Sequence, residues 1–292
     1  MAVHKPAQLT IQSTLTAFSE YLSGKAVDSP RLSAELVLRK ILGISRLDIL
    51  INSDRKISED EFAQMEPLIL RRGTGEPAAY IMGEREFYGR PFNVNSHTLI
   101  PRPETEHLIE AVIERYADKG SFSFADLGTG SGCIATTIAA ELPKAHGVAV
   151  DLSEGAIATA KENIRINGVA DRVKCIRADF TTPLFKNNTF DVIATNPPYV
   201  SQSEYIMLDP EVQQFEPASA LVPGDSGLEH GIRLIALAAQ WLRPSGFFIM
   251  EMGFWQGSDF ISEFAKNAAL WRDTAIIKDL SGHDRFVCGY KA

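Results

Sequence analysis

Phe122-Ser123-Phe124-Ala125-Asp126-Leu127-Gly128-Thr129-Gly130-Ser131-Gly132 carries a largely apolar run into three glycines at alternate positions. The run has the length and side chains of a buried strand, and the glycines let a ligand approach the backbone. A glycine-rich turn between the first strand and its helix is where open α/β sheets bind ligands. Downstream, the pattern predicts strands over 122–127, 146–151, 172–177, 190–195 and 246–252, and helices over 132–142, 153–166, 228–242 and 256–268. Two closing strands are expected near 272–278 and 284–290. This alternation means an α/β fold, a mostly parallel sheet covered by helices on both faces.

Asp151, ending the second strand, can accept hydrogen bonds from ribose hydroxyls. Asp179-Phe180, just after the third, can bracket an adenine: the carboxylate accepts from the exocyclic amine and the ring packs on the base. A dinucleotide has the same outline, so the loop by itself fits NAD as well as S-adenosylmethionine. Two details favour S-adenosylmethionine. The spacing is G-x-G-x-G followed by Cys133, which displaces the third small residue of the pyrophosphate fingerprint. Asp126 also puts a carboxylate where a pyrophosphate is repelled and an ammonium or sulfonium is welcome.

The run Phe190 to Thr195 is a second buried strand, and it ends in Asn196-Pro197-Pro198-Tyr199. Asn-Pro also opens ordinary turns, so the dipeptide alone can be a strand terminator. The four residues together suit a more specific task. An amide nitrogen is a poor nucleophile because its lone pair is delocalised into the carbonyl. Two acceptors, one for each N–H, hold such a nitrogen so that its remaining direction faces an electrophile. Asn196 offers its side-chain oxygen and Pro197 its backbone carbonyl. The prolines fix φ and bring no competing N–H, and Tyr199 offers a flat face to a flat conjugated group. Methylation at a sulfonium needs the nitrogen about 3 Å away and aligned, so positioning is the main effect. The alkylated nitrogen is acidic and sheds its proton without a histidine base. His97, His107, His146, His230 and His283 accordingly read as surface or structural groups.

The chain has 292 residues, 45% hydrophobic and 23% charged, which is ordinary for a globular protein of about two domains. A formal charge of −8 argues against a broad nucleic-acid footprint, and direct nucleic-acid binding is not expected. Cys133, Cys175 and Cys288 have no C-x-x-C spacing, so neither a disulfide framework nor a metal site is indicated. With no signal-peptide core between Met1 and Lys25 and no apolar run long enough for a membrane, a cytoplasmic location is expected.

Before the α/β region, apolar residues at helical spacing predict helices over Gln8–Leu22 and from Ser29-Pro30 to Leu42, then short ones around Asp48 and from Ser58 through Arg71. The Gly/Pro-rich break at Gly73 to Pro77 marks a boundary. The β-prone runs 79–83 and 87–94 read as a hairpin linking two domains. Pro101-Arg102-Pro103-Glu104-Thr105-Glu106 leads into a helix and is placed to line the cleft, although a proline-initiated helix start accounts for it equally. The expected division is a helical domain over 1–74, a linker over 75–100 and a catalytic domain over 101–292.

Asp126 to Gly132 and Asn196 to Tyr199 together resemble the amino methyltransferases of the class I S-adenosylmethionine-dependent fold. Further stretches narrow the resemblance: Tyr80-Ile81-Met82-Gly83-Glu84-Arg85-Glu86-Phe87-Tyr88-Gly89, Ile100 to Glu106, Phe215-Glu216-Pro217-Ala218-Ser219-Ala220-Leu221, and Asp279-Leu280-Ser281-Gly282-His283-Asp284-Arg285. Over almost the whole chain these are similar to the peptide chain release factor glutamine N5-methyltransferases, the PrmC/HemK family. The resemblance implies a Rossmann-like class I domain with a mostly parallel seven-stranded sheet, a small N-terminal helical domain that contacts the release factor, and a linking β-hairpin. It implies the glutamine of the Gly-Gly-Gln loop of class 1 peptide chain release factors as substrate. It also implies that Gly128, Thr129, Gly130, Ser131, Gly132, Asp151, Asp179, Phe180 and Asn196 contact S-adenosyl-L-methionine. Asn196, Pro197, Pro198 and Tyr199 then grip the glutamine, with Asn196, Pro197 and Tyr199 as the catalytic set. A ribosomal-protein glutamine, adenine N6 in nucleic acid, and a non-catalytic binding module are the competing readings. The segment from Val200 to Leu228 is expected to wall or cover the substrate pocket.

Overall fold

The computed structural model describes residues 3–25 and 27–292. Met1, Ala2 and Ala26, which fall inside the expected helical domain, lie outside the described residues. The chain forms two compact units, one of residues 1–84 with 209–215 and one of residues 85–208 with 216–292.

The first unit holds α1 (Ile11–Ser23), α2 (Pro30–Leu42), α3 (Arg46–Ile51), α4 (Glu59–Arg72) and α5 (Ala78–Met82). Polar caps start three of them: Thr10, Ser45 and Ser58 each accept from the N3 backbone while the N3 side chain reaches back. Their apolar sides meet in one core, with Phe18 and Phe62 at 5.4 Å and Leu15, Leu38, Met65 and Ile69 fully enclosed. Residues 209–215 belong here. The buried Arg72 guanidinium donates to Ser33 Oγ, to the Asp28 and Glu76 carbonyls and, at 2.7 Å, to Glu211.

Residues 79–83, expected as the first strand of the hairpin, are instead the end of a helix and its cap. Pro77 starts α5, Gly83 stops it in the left-handed region at φ +76°, and Tyr80 and Ile81 are buried. The hairpin lies one run later, as β1 (Glu84–Phe87) and β2 (Arg90–Asn93). Its turn residues Tyr88 and Gly89 both have positive φ, the backbone that a two-residue hairpin turn requires.

The second unit continues with α6 (Glu106–Tyr116), β3 (Phe122–Leu127), α7 (Cys133–Glu141), β4 (Ala145–Asp151), α8 (Glu154–Ile166), β5 (Val173–Arg177) and β6 (Phe190–Thr195). Two short helices follow, α9 (Gln202–Tyr205) and α10 (Pro210–Phe215), the latter within the first unit. Then come α11 (Glu229–Trp241), β7 (Leu242–Glu251), α12 (Gly257–Lys266), β8 (Trp271–Lys278) and β9 (Asp284–Lys291). The sheet order is β5-β4-β3-β6-β7-β9-β8, parallel except for β9, which runs antiparallel to both neighbours. Apolar clusters pack both faces, one around Phe124, Ile138 and Phe247, the other around Ile193, Leu234 and Phe248. β7 begins four residues before the expected position and breaks register between Phe190 and Val192.

The order reverses at β3: the chain moves outward to β4 and β5, then crosses back to β6. Such a switch point opens a crevice at the carboxyl ends of the two central strands. The register fixes what stands there. Leu127 pairs with Thr195 and with Val150, so Gly128, Asn196 and Asp151 emerge side by side.

Gly132 caps α7 at φ +80°, and a Cβ on it would stand 3.1 Å from the Ala160 side chain. Gly132→Ala is therefore expected to lower stability by about 1–2 kcal/mol through the left-handed backbone alone. Denaturant unfolding of the variant against the parent protein measures it.

Candidate functional site

The crevice is a cavity of about 320 Å³. Gly128 through Ser131 form one side, Asp151, Asp179 and Phe180 another, and Asn196 and Pro198 the end of β6. The strap Pro101-Arg102, Thr105 and the pair Ser219-Ala220 complete the wall. Gly132, Pro197 and Tyr199 do not line it.

Buried acceptors hold the glycine loop. The Gly128 and Thr129 N–H groups both donate to the Val150 carbonyl at 2.9 Å. Asp126, fully buried, accepts from Thr129 Oγ1 at 2.6 Å and from the Ala135 N–H at 3.0 Å, so one carboxylate oxygen ties both ends of the loop. Its other oxygen has no partner among the described residues, and burial pushes the carboxyl up to about 7. Asp126 does not line the cavity, contrary to the expectation that it faces a bound cation; it shapes the loop from behind.

Asp151 does line the cavity. It accepts from the Gly130 N–H and from the Ser153 N–H, each at 2.9 Å, while burial raises its carboxyl above the usual range. Asp179 lies lower, because one of its oxygens accepts from the Thr181 hydroxyl and N–H. Phe180 is buried and stands edge-on to His230 at 5.4 Å, its ring 3.3 Å from where a Cβ on Gly128 would be.

Asn196 donates from Nδ2 to Thr105 Oγ1 at 3.3 Å, and Thr105 donates to Glu251 at 2.7 Å. No hydrogen bond is made to Asn196 Oδ1 or to the Pro197 carbonyl among the described residues. The Tyr199 hydroxyl faces the second Glu251 oxygen at 3.5 Å, and Gln256 pins the Tyr199 carbonyl at 2.8 Å. Glu251 is 2% exposed, and burial pushes it up to about 7; Tyr199 is raised as well, by burial first and then by that carboxylate.

The expected wall in Val200 to Leu228 is present in part: Ser219 and Ala220 line the cavity, and Glu216 behind them receives Arg102 at 2.5 Å and the Ile100 N–H at 3.0 Å. That bond joins two of the sequence stretches singled out above. A third closes on itself, where Asp279 accepts from Arg285 at 3.1 and 3.2 Å. The histidines depart from expectation. His97 and His230 both line the cavity, although nothing in their isolated sequence positions signals it. Burial lowers His230, which keeps it neutral near pH 7.

The donor set tests which ligand fits. Arg102 is the guanidinium in the wall, and Glu216 already neutralises it, so a pyrophosphate finds no free cation among the lining residues. Two carboxylates, a glycine backbone and an aromatic edge suit a ligand that carries ribose and adenine without a pyrophosphate. Cys133 also lines the wall, but burial pushes its thiol up to about 12, which leaves it inert.

Comparison with known proteins agrees with this geometry. Residues 13–83 match the PrmC N-terminal domain, and residues 103–212 the methyltransferase small domain. The release factor glutamine methyltransferase of Nitratidesulfovibrio vulgaris is 49% identical over 95% of this chain and 94% of its own. That of Rhodopirellula baltica is 38% identical over 97% of each. Among solved structures, the hMettl16 catalytic domain superposes with a TM-score of 0.58 at 17% identity over 80% of this chain and 82% of its own, which supports the fold. With near-complete coverage at such identity, and with the glycine loop and the Asn-Pro-Pro-Tyr turn brought to one crevice, the chain belongs to the release factor glutamine methyltransferase family.

Proposed function

We propose that this protein transfers a methyl group from S-adenosylmethionine to the side-chain amide nitrogen of the glutamine in the Gly-Gly-Gln loop of class 1 peptide chain release factors. The observation that carries the reading is the Asn196 carboxamide, which stands at the cavity end with Nδ2 engaged and Oδ1 left to accept.

When bound, S-adenosylmethionine supplies an electrophilic methyl on a sulfonium. Asp151 would take the ribose hydroxyls, Asp179 and Phe180 the adenine, and the backbone from Gly128 to Ser131 the remainder of the donor; Gly132 acts through the loop's shape. Asn196 Oδ1 and the Pro197 carbonyl accept the two N–H groups of the substrate carboxamide, which turns its nitrogen toward the cavity. Pro197 and Pro198 hold these acceptors stiffly and offer no donor of their own. Tyr199, its hydroxyl turned to Glu251, keeps its ring beside the planar amide. Orientation does most of the catalytic work, and the new N–CH3 group sheds its proton to water. The helical first unit, which matches the PrmC N-terminal domain, is the part we assign to release-factor contact.

Incubation of a purified class 1 release factor with the protein and S-adenosylmethionine should add the mass of one methyl-for-hydrogen exchange to the glutamine-bearing peptide. An unmodified peptide overturns the reading. Asn196→Ala should lower kcat by about a hundredfold or more, with the fold retained by circular dichroism.

The buried Asp126 gives a separate expectation. Its folded value of about 7 lies above the ordinary aspartate value of 3.8, so between these values the folded chain holds a proton that the unfolded chain has lost. Stability is therefore lost as pH rises through that window. Asp126→Asn removes this loss, so its melting temperature relative to the parent protein should be more favourable at about pH 8 than at about pH 5.

A further inference from the structure

Asn196 is held by two residues that the sequence did not single out as a pair. Thr195 pairs with Met250 in the sheet, so Glu251 stands beside Asn196 at the carboxyl edge. Thr105 arrives from the turn before α6 and sits between them, 2% exposed. Its hydroxyl has one proton to give. Glu251, when ionised, can only accept, and it takes that proton at 2.7 Å. The Thr105 oxygen is then left with lone pairs alone toward Asn196, and the side of the carboxamide that meets it must be Nδ2.

The direction matters because the two ends of a carboxamide have nearly the same shape. Packing alone cannot choose between them; hydrogen-bond polarity can. With Nδ2 against Thr105, Oδ1 is presented to the substrate. With the carboxamide reversed, an NH2 group would face the substrate NH2, and two donors would oppose each other.

We propose that Thr105 and Glu251 are positioning residues for the methyl-transfer step: the carboxylate orients the Thr105 hydroxyl, and the hydroxyl sets which end of the Asn196 carboxamide meets the glutamine amide. The inference rests on the function proposed above. Neither residue needs to touch the substrate. Glu251 also engages the Tyr199 hydroxyl, so a single buried carboxylate braces both polar side chains of the Asn-Pro-Pro-Tyr turn.

Thr105→Val keeps the volume and removes the hydroxyl, whereas Thr105→Ser keeps the hydroxyl. With a purified release factor as substrate, Thr105→Val should lose about tenfold to a hundredfold in kcat while KM for the release factor and donor affinity hold. Thr105→Ser should restore kcat. Glu251→Gln covers the case in which Thr105→Val does not fold. The glutamine can turn either end toward Thr105, so the relay loses its forced direction: kcat should fall while the melting temperature rises, because a buried charge is gone. A merely structural role would move both the same way. Parent-level kcat in folded Thr105→Val or in Glu251→Gln overturns the proposal, as does a Thr105→Ser loss equal to that of valine. A parent protein that methylates no glutamine overturns the functional reading itself, and this inference with it.

Discussion

The parallel ladder between β3 and β6 is the constraint on which the rest of the site depends. It pairs Leu127 with Thr195, and the Thr195 hydroxyl fastens to the Leu127 carbonyl at 2.5 Å. Side chains in a strand alternate faces, so a slip of one residue would send one strand's side chains into the opposite apolar clusters, whose close packing they do not fit. Both strands are buried on both faces, which makes that slip prohibitively costly. The glycine loop and the Asn-Pro-Pro-Tyr turn thus leave the sheet at the same height. The glycine loop and Asn196 meet at one crevice because of register, with no dedicated contact needed between them.

Buried carboxylates do the finer placement. Asp126 gathers the loop from behind, Asp151 receives the Gly130 N–H, Glu216 holds the strap at Ile100 and Arg102, and Glu251 reaches Asn196 through Thr105. Burying a charge without a full partner costs free energy, and Asp126 and Glu251 both show it in their raised proton affinity. The cost is accepted where a backbone N–H or a hydroxyl needs a fixed direction.

Much of this was legible in the chain because parallel strands read as unbroken apolar runs; Phe190–Thr195 has the expected bounds. The glycine loop declared itself by spacing. Residues 79–83 misled because Tyr80 and Ile81 have β-prone side chains, while the deciding features were Pro77 before and the left-handed Gly83 after. Thr105 lay in a stretch expected to line the cleft, as it does, but its link to Glu251, like Glu251 and His230 themselves, was hidden for another reason. A threonine in a helix-start sequence, a glutamate ending a strand and a lone histidine look the same in sequence whether they meet a cavity or water. Only the register of β6 against β7 and the packing of His230 on Phe180 bring them in.

The placement of 209–215 bears on how such a protein could be rebuilt from parts. The helical unit is stitched from two separate lengths of chain, and its buried Arg72 finds Glu211 in the second of them. Grafting a foreign helical unit as one N-terminal block would leave that short loop facing a stranger, and a transplanted arginine would lose its carboxylate. Recombination that preserves this unit has to carry both pieces together.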